Sequence, residues 1–225
     1  MSSRAISLSI KGADQDVNQD YLGHCIAGET KEFWVIADGS TNAKKSGAFV
    51  KKFCDGLRKN WLDLPAPITK DDMLCLMRTI HRTMQRDFIC AKGSFLLLVI
   101  ESEIQHCFHL GDCRIGIIEQ GGNIIWKTYP HSLAYKIDGA DEDRLRKDPD
   151  RHTLYKSLMG KRFSEPAYET LHLDLSKPFI LASDGFWCQD SVQLPHLLTE
   201  DSVSSYIQSL KLSDDCTVLI RKDSF

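Results

Sequence analysis

Five aspartates of this chain fall where strands should end or turn: Asp20, Asp38, Asp112, Asp184 and Asp214. Two of them close apolar runs. Val35-Ile36-Ala37 leads into Asp38-Gly39, and Phe179-Ile180-Leu181-Ala182-Ser183 leads into Asp184-Gly185. Each run reads as a buried strand that delivers a carboxylate to its C-terminal edge, where glycine lets the backbone turn sharply. A lone Asp in such a place is ordinarily a turn residue or a helix cap. Several that converge repel one another unless cations lie between them. A donor set made of oxygen alone suits hard ions such as Mg²⁺ or Mn²⁺. The chemistry these residues offer is therefore that of a carboxylate-lined metal site.

The elements that must position them follow from periodicity. Residues 4–10 alternate as a first strand, residues 21–27 form a second, and residues 32–37 a third, with the turn at Gly28 to Lys31. The connections are too short for a crossover helix, so this opening is antiparallel. Thr41-Asn42 is the predicted cap of a helix over about 43–60, with Ala48, Phe49, Phe53 and Leu57 on one face. Thr69-Lys70-Asp71-Asp72 resembles a capping box opening a second helix to about Ile89, with Met73, Leu76, Met77, Ile80 and Met84 as its stripe. Strands are predicted over 94–101, 105–110, 114–119 and 123–128. Residues 168–175 and 178–183 are predicted to pair with each other. The charged stretch 137–151 reads as a loop or short helix, 202–210 as a helix, and 217–220 as the last strand. Helices grouped between antiparallel strands predict an α+β layered domain.

Composition narrows the class. The chain has 225 residues, 42% hydrophobic and 26% charged, with a formal charge of -3. That fits one globular domain over 1–225 and gives no reason to expect nucleic acid or a membrane as partner. Residues 95–100 form the longest apolar run, far short of a membrane span. None of the eight cysteines has Cys-x-x-Cys spacing, which points to reduced thiols in a cytoplasmic protein and disfavours a zinc site.

Taken in order, these motifs resemble the metal-dependent protein phosphatases of the 2C type, over nearly the whole chain. Asn18-Gln19-Asp20 resembles the family's first acidic motif, and Val35-Ile36-Ala37-Asp38-Gly39 its metal-bridging motif. Leu110-Gly111-Asp112-Cys113-Arg114 resembles its Gly-Asp-Ser-Arg turn, His131-Ser132-Leu133 its Asp-His-Ser segment, and Leu158-Met159-Gly160 its Ala-Leu-Gly. Leu181-Ala182-Ser183-Asp184-Gly185-Phe186-Trp187 resembles the Ser-Asp-Gly-Leu-Trp motif, and Asp214-Asp215-Cys216-Thr217-Val218 the terminal Asp-Asn-x-Thr-Val.

The resemblance implies a four-layer α-β-β-α sandwich of two antiparallel sheets flanked by helices. It implies two Mn²⁺ or Mg²⁺ ions at one edge. Asp38 would bridge both, Gly39 would add its carbonyl, and Asp184 and Asp214 would complete one site. Asp20 would stand in the inner or outer shell, and Asp112 would hold a weaker third ion with Asp184. Asp38, Asp184 and Asp214 would carry catalysis. The implied activity is hydrolysis of phosphoserine or phosphothreonine in proteins by a water held between cations ~4 Å apart. A phosphorylated protein would be the substrate, a serine/threonine kinase a partner, and the enzyme a monomer.

This chain departs from the pattern at several places. The family's phosphate-gripping Arg corresponds to Gln15, for which Lys11, Lys44, Lys45 or Arg114 would have to substitute. Asp-Gly-His-Gly-Gly has become Asp38-Gly39-Ser40-Thr41-Asn42, with no histidine. The Gly-Thr-Thr strand start is Gly93-Ser94-Phe95. A haloacid-dehalogenase reading of Asp38-Gly39-Ser40-Thr41 fails, because its nucleophilic Asp would occupy position 36, which is Ile. A non-enzymatic module that binds a phosphoprotein or kinase is the other reading, favoured by Gln15 and opposed by the retained carboxylates. The remaining histidines, His152 among them, read as surface or satisfied core residues.

Overall fold

The computed structural model describes residues 5–139, 141–189 and 192–222. The alternation seen in sequence becomes two sheets. One has six strands, including β2 (Asp20–Ala27), β3 (Lys31–Gly39), β4 (Lys92–Glu101), β5 (Ile104–Leu110) and β9 (Ala167–Leu171) in that spatial order, with the short β8 (Leu158–Met159) paired to β4. The other runs β1 (Ala5–Ile10), β11 (Cys216–Arg221), β10 (Phe179–Ala182), β6 (Arg114–Ile118) and β7 (Ile124–Trp126). The pairs within both sheets are antiparallel.

Period two divides the core. On β3, Phe33, Val35 and Ala37 face helices α1 (Ser46–Asn60) and α2 (Lys70–Met84), and Trp34 and Ile36 face the second sheet. The second sheet presents Ile115, Phe179, Leu181 and Leu219 to that inner layer, and Ile180, Val218 and Ile220 to Val203 and Ile207 of helix α6 (Glu200–Gln208). The layers are helix, sheet, sheet, helix, as the motifs implied.

Local differences have physical causes. Helix α1 begins at Ser46, not near 43, and its N-cap Lys45 is left-handed with no side-chain cap. A remote residue does that work: Gln19 Oε1 accepts the N–H of Gly47 at 3.2 Å. Ala48, expected in the buried stripe, is exposed, and Val50 and Cys54 are buried instead. The capping box of α2 is present, but the helix ends at Met84, short of Ile89. The predicted pairing of the strands near 168–175 and 178–183 is wrong: β9 pairs with β5, and β10 pairs with β6 and β11. A turn at Asp174–Lys177 carries the chain from one sheet to the other. Between β7 and β8 the charged stretch is ordered into helices α3 (Leu133–Asp138) and α4 (Glu142–Lys147) and a 3-10 turn at Pro149–His152. A further short helix, α5 (Asp184–Trp187), follows β10. Position 4, the expected start of β1, lies outside the described residues. Among those residues no helix is long and apolar enough to cross a membrane.

Candidate active site

The registers place the aspartates. Asp20 of β2 lies opposite Asp38 of β3, and Asp38 lies opposite Ser94 of β4. On the facing sheet, Asp184 follows β10 and Asp214 stands two residues before β11, while Asp112 closes the turn between β5 and β6. All five carboxyl groups thus reach one edge of the sandwich. Asp112 and Asp184 are buried, and Asp20, Asp38 and Asp214 are partly exposed.

Two glycines permit this crowding. A Cβ on Gly39 would sit 2.5 Å from the nitrogen of Gly47, so the strand end can meet the start of α1 only without a side chain. A Cβ on Gly185 would come within 2.0 Å of the Asp215 carbonyl. Close approach, and not the freedom to turn, is what these positions require.

The acidic groups feel one another. Burial is the largest cause of a raised Asp38 carboxyl, followed by the charges of Asp20, Asp184, Asp112 and Asp214. Burial pushes Asp20 up to about 7, against hydrogen bonds from Thr217 and Ser183 that pull it down. Ser183 Oγ donates to Asp20 Oδ2 at 2.8 Å. Burial, then the Asp184 charge, raises Asp112 to about 7. Asp214 is shifted upward by the same two causes.

Gln15 reaches the site as well. Its Nε2 donates to Asp214 Oδ1 at 2.9 Å, so position 15 faces the acidic edge. Asp215 has a different task. Its two oxygens accept the backbone N–H groups of Gly12 (3.0 Å) and Gln19 (2.7 Å), which ties the N-terminal segment to the start of β11. A carboxylate, which only accepts, suits two donors better than an amide would.

Three of the predicted phosphate anchors are engaged elsewhere. Lys11 Nζ donates to the carbonyls of Gly12 and Gln15. Lys45 Nζ donates to the carbonyl of Asp87 at 3.3 Å. Arg114 is fully buried and bound through both Nη atoms to Glu142 of α4, at 2.7 and 2.8 Å. Lys44 is exposed.

His152, read from sequence as a bystander, stands at the site: its Nδ1 lies 3.5 Å from Asp184 Oδ2. Hydrogen bonding to Asp184 raises its imidazole above the ordinary value. No local pattern around residue 152 announces this, because the folding of the 141–152 stretch brings it there. His131, whose motif context had marked it, instead accepts the N–H of Gly111 at 3.1 Å and stacks on His109. That fixes the turn before Asp112, and burial depresses its imidazole to about 3.

Hard cations fit the donors on two grounds. Oδ1 of Asp20 and Oδ1 of Asp112 are buried with no hydrogen-bond partner, and unpaired buried carboxylate oxygens are costly. The converging groups are oxygen donors whose shared charge a divalent ion would neutralise. Among the described residues, no three His, Cys, Asp or Glu side chains already close around a point that could hold an ion. The aspartates line the edge without forming a cage, as like charges do.

Solved structures place this architecture. The chain superposes on a serine/threonine phosphatase of S. agalactiae with a TM-score of 0.78 at 18% identity, covering 98% of this chain and 99% of that one. For Stp1 of Staphylococcus aureus the TM-score is 0.79 at 17% identity, over 98% and 95% of the two chains. The catalytic domain of the serine/threonine protein phosphatase PstP, in complex with 2 manganese ions, gives 0.73 at 17% identity over 96% of each. The chain has the fold of these phosphatases. No protein-family model and no curated protein matches its sequence.

Proposed function

We propose that this phosphatase-like fold is a metal-dependent serine/threonine protein phosphatase acting through Asp20, Asp38, Asp112, Asp184 and Asp214. The observation that carries the reading is the convergence of five carboxyl groups on one edge, two of them with a buried unpaired oxygen. The manganese pair in the PstP complex supports it by analogy of fold.

In this reading Asp38, Asp184, Asp214 and the Gly39 carbonyl would hold two Mn²⁺ or Mg²⁺ ions, and Asp112 with Asp184 would hold a weaker third. Bound there, such cations supply Lewis acidity: they acidify water and neutralise charge on phosphoryl oxygens. The protein groups do the rest. Asp38, placed at the end of a strand buried on both faces, has little freedom, so its oxygens are held before substrate arrives. Ser183, which receives the N–H of Thr217 and donates to Asp20, holds that carboxyl in one orientation. Asp215 seats residues 12–19 so that Gln15 meets Asp214.

We further read residues 1–225 as one domain, cytoplasmic and monomeric, that takes a phosphorylated protein as substrate and opposes a serine/threonine kinase. The second reading, a phosphoprotein-binding module without turnover, is favoured by one observation: a neutral amide, already bonded to Asp214, fills position 15. Hydrolysis of an aryl phosphate and of a phosphoserine peptide, with Mn²⁺ and with chelator, separates the two. Turnover that needs the metal is expected. Metal binding without hydrolysis of either substrate favours the silent module, and hydrolysis undiminished in chelator refutes the metal site.

A further inference from the structure

Two of the five carboxyl groups stand just beyond the end of a ladder. Strands β6 and β10 pair antiparallel, and their pairing stops at Arg114 opposite Ala182. Two residues past that point on each chain come Asp112 and Asp184. The sheet no longer joins them there, but a side chain does. The Trp187 indole N–H donates to the Asp112 carbonyl at 2.8 Å. Trp187 is buried and belongs to α5, the short helix that Asp184 opens. The turn that carries one carboxyl is thus tied to the helix that carries the other.

Trp187 is itself held from the far side. The Arg114 guanidinium lies 5.0 Å from the Trp187 ring centre and 4.8 Å from that of Trp126. Glu142 of α4 accepts from both Nη atoms of Arg114. Ala134 of α3 and Leu145 of α4 share a buried apolar cluster with Trp187. The stretch between β7 and β8 therefore reaches the acidic edge through this indole. A turn beyond its ladder opens locally unless other contacts close it, and one buried hydrogen bond of about 1 kcal/mol changes that opening about fivefold. Groups that orient metal ligands from behind are worth about ten- to a hundredfold in metal affinity or activity.

We propose that Trp187, seated by the Glu142–Arg114 pair, is a positioning residue: it fixes the Asp112 turn against α5 and so sets the spacing at which Asp112 and Asp184 share a divalent cation. The inference rests on the phosphatase reading above.

The test compares wild type with Trp187→Phe, which keeps an aromatic ring and loses the N–H, and with Glu142→Gln, which loosens the seat. Two controls accompany them. Ile207→Val makes a small cavity under α6, in a different core cluster, and Asp143→Asn removes an exposed charge from α4. In chelator, amide exchange at residues 111–114 and 186–188 should quicken about fivefold or more in Trp187→Phe and Glu142→Gln, and stay as in wild type in both controls. In calorimetric titration with Mn²⁺, the weaker event should lose about tenfold in affinity in the same two variants while the tighter event is unchanged. With an aryl phosphate, kcat should fall and KM should hold. General loss of stability would not produce this pattern, because Ile207→Val would share it. Exchange at both turns that matches Ile207→Val overturns the inference, and with the wild type turning over it leaves the phosphatase reading standing. Loosened turns with the weaker Mn²⁺ event absent or unchanged also overturn it. Loosened turns and a weakened second event, in a wild type that hydrolyses nothing, support the positioning role and remove the phosphatase reading.

Discussion

The Glu142–Arg114 pair allows a prediction to be worked through. Arg114 has no exposed surface, both Nη atoms are bound to Glu142, and its Nε donates to the Thr128 carbonyl at 3.0 Å. Glu142→Gln keeps shape and removes the charge. Removing one member of a buried pair costs roughly 3–5 kcal/mol, because the other charge is left uncompensated. Two features lessen that here. The Glu142 side chain is 32% exposed, so solvent relieves part of the loss, and the two indole faces remain over the guanidinium. About 2 kcal/mol should be lost, which for a chain of this length lowers Tm by about 4–8 °C. The assay is thermal unfolding of Glu142→Gln, Arg114→Met and the double variant. The double variant should lose less than the sum of the singles, since each removes the same interaction. The Asp143–Arg146 pair is the control: Asp143 is largely exposed, its partner is 3.5 Å away, and Asp143→Asn should leave Tm unchanged. Additive losses, or a Glu142→Gln melt that matches that of Asp143→Asn, would refute the reasoning.

Three other predictions concern the acidic edge. In chelator, Asp20 and Asp112 hold protons up to about pH 7 in the folded chain and release them near the ordinary value of 3.8 when unfolded, so stability falls as pH rises through that window. The depressed His24, His106 and His131 act in the opposite sense below their ordinary value of 6.5, and the raised His152 acts in the same sense as the carboxyl groups, so the change from pH 6.5 to 7.5 reports the acidic edge together with His152. A loss of about 0.5–1.5 kcal/mol is expected there; Mn²⁺ should abolish it, and a gain in chelator would contradict the sign. Asp38→Asn should abolish turnover and Mn²⁺ binding yet raise Tm in chelator, by removing the charge that four others oppose; normal hydrolysis in this variant would mean that the centre lies elsewhere. Gln15→Arg should raise the Mn²⁺ concentration needed for half-maximal activity several-fold, because the new guanidinium would pair with Asp214; a lower KM with an unchanged Mn²⁺ requirement would show that it grips phosphate instead.

Much of this protein was legible before its structure. Period-two runs located both sheets, and Thr69 with Asp72 announced the start of α2. Acidic residues at strand ends singled out the five aspartates, because alternation dictates which residues a strand buries and the strand end dictates where a carboxyl can emerge. Those signals are local, each contained within about ten residues.

What remained hidden depends on partners far apart in the chain. Gln19 caps α1, and Asp215 holds residues 12 and 19 from some two hundred positions away. Strands near 168 and 180 read as partners because they are neighbours in the chain, and only the packing of two sheets assigned them to different layers. Arg114 stood among the candidate phosphate anchors until Glu142 of α4 closed on it, and the folding of the same stretch set His152 beside Asp184. Side-chain type and spacing determine what each element can bury and what chemistry it can present. Which groups then meet is decided by burial and charge pairing across the assembled layers, where a buried charge tolerates few partners.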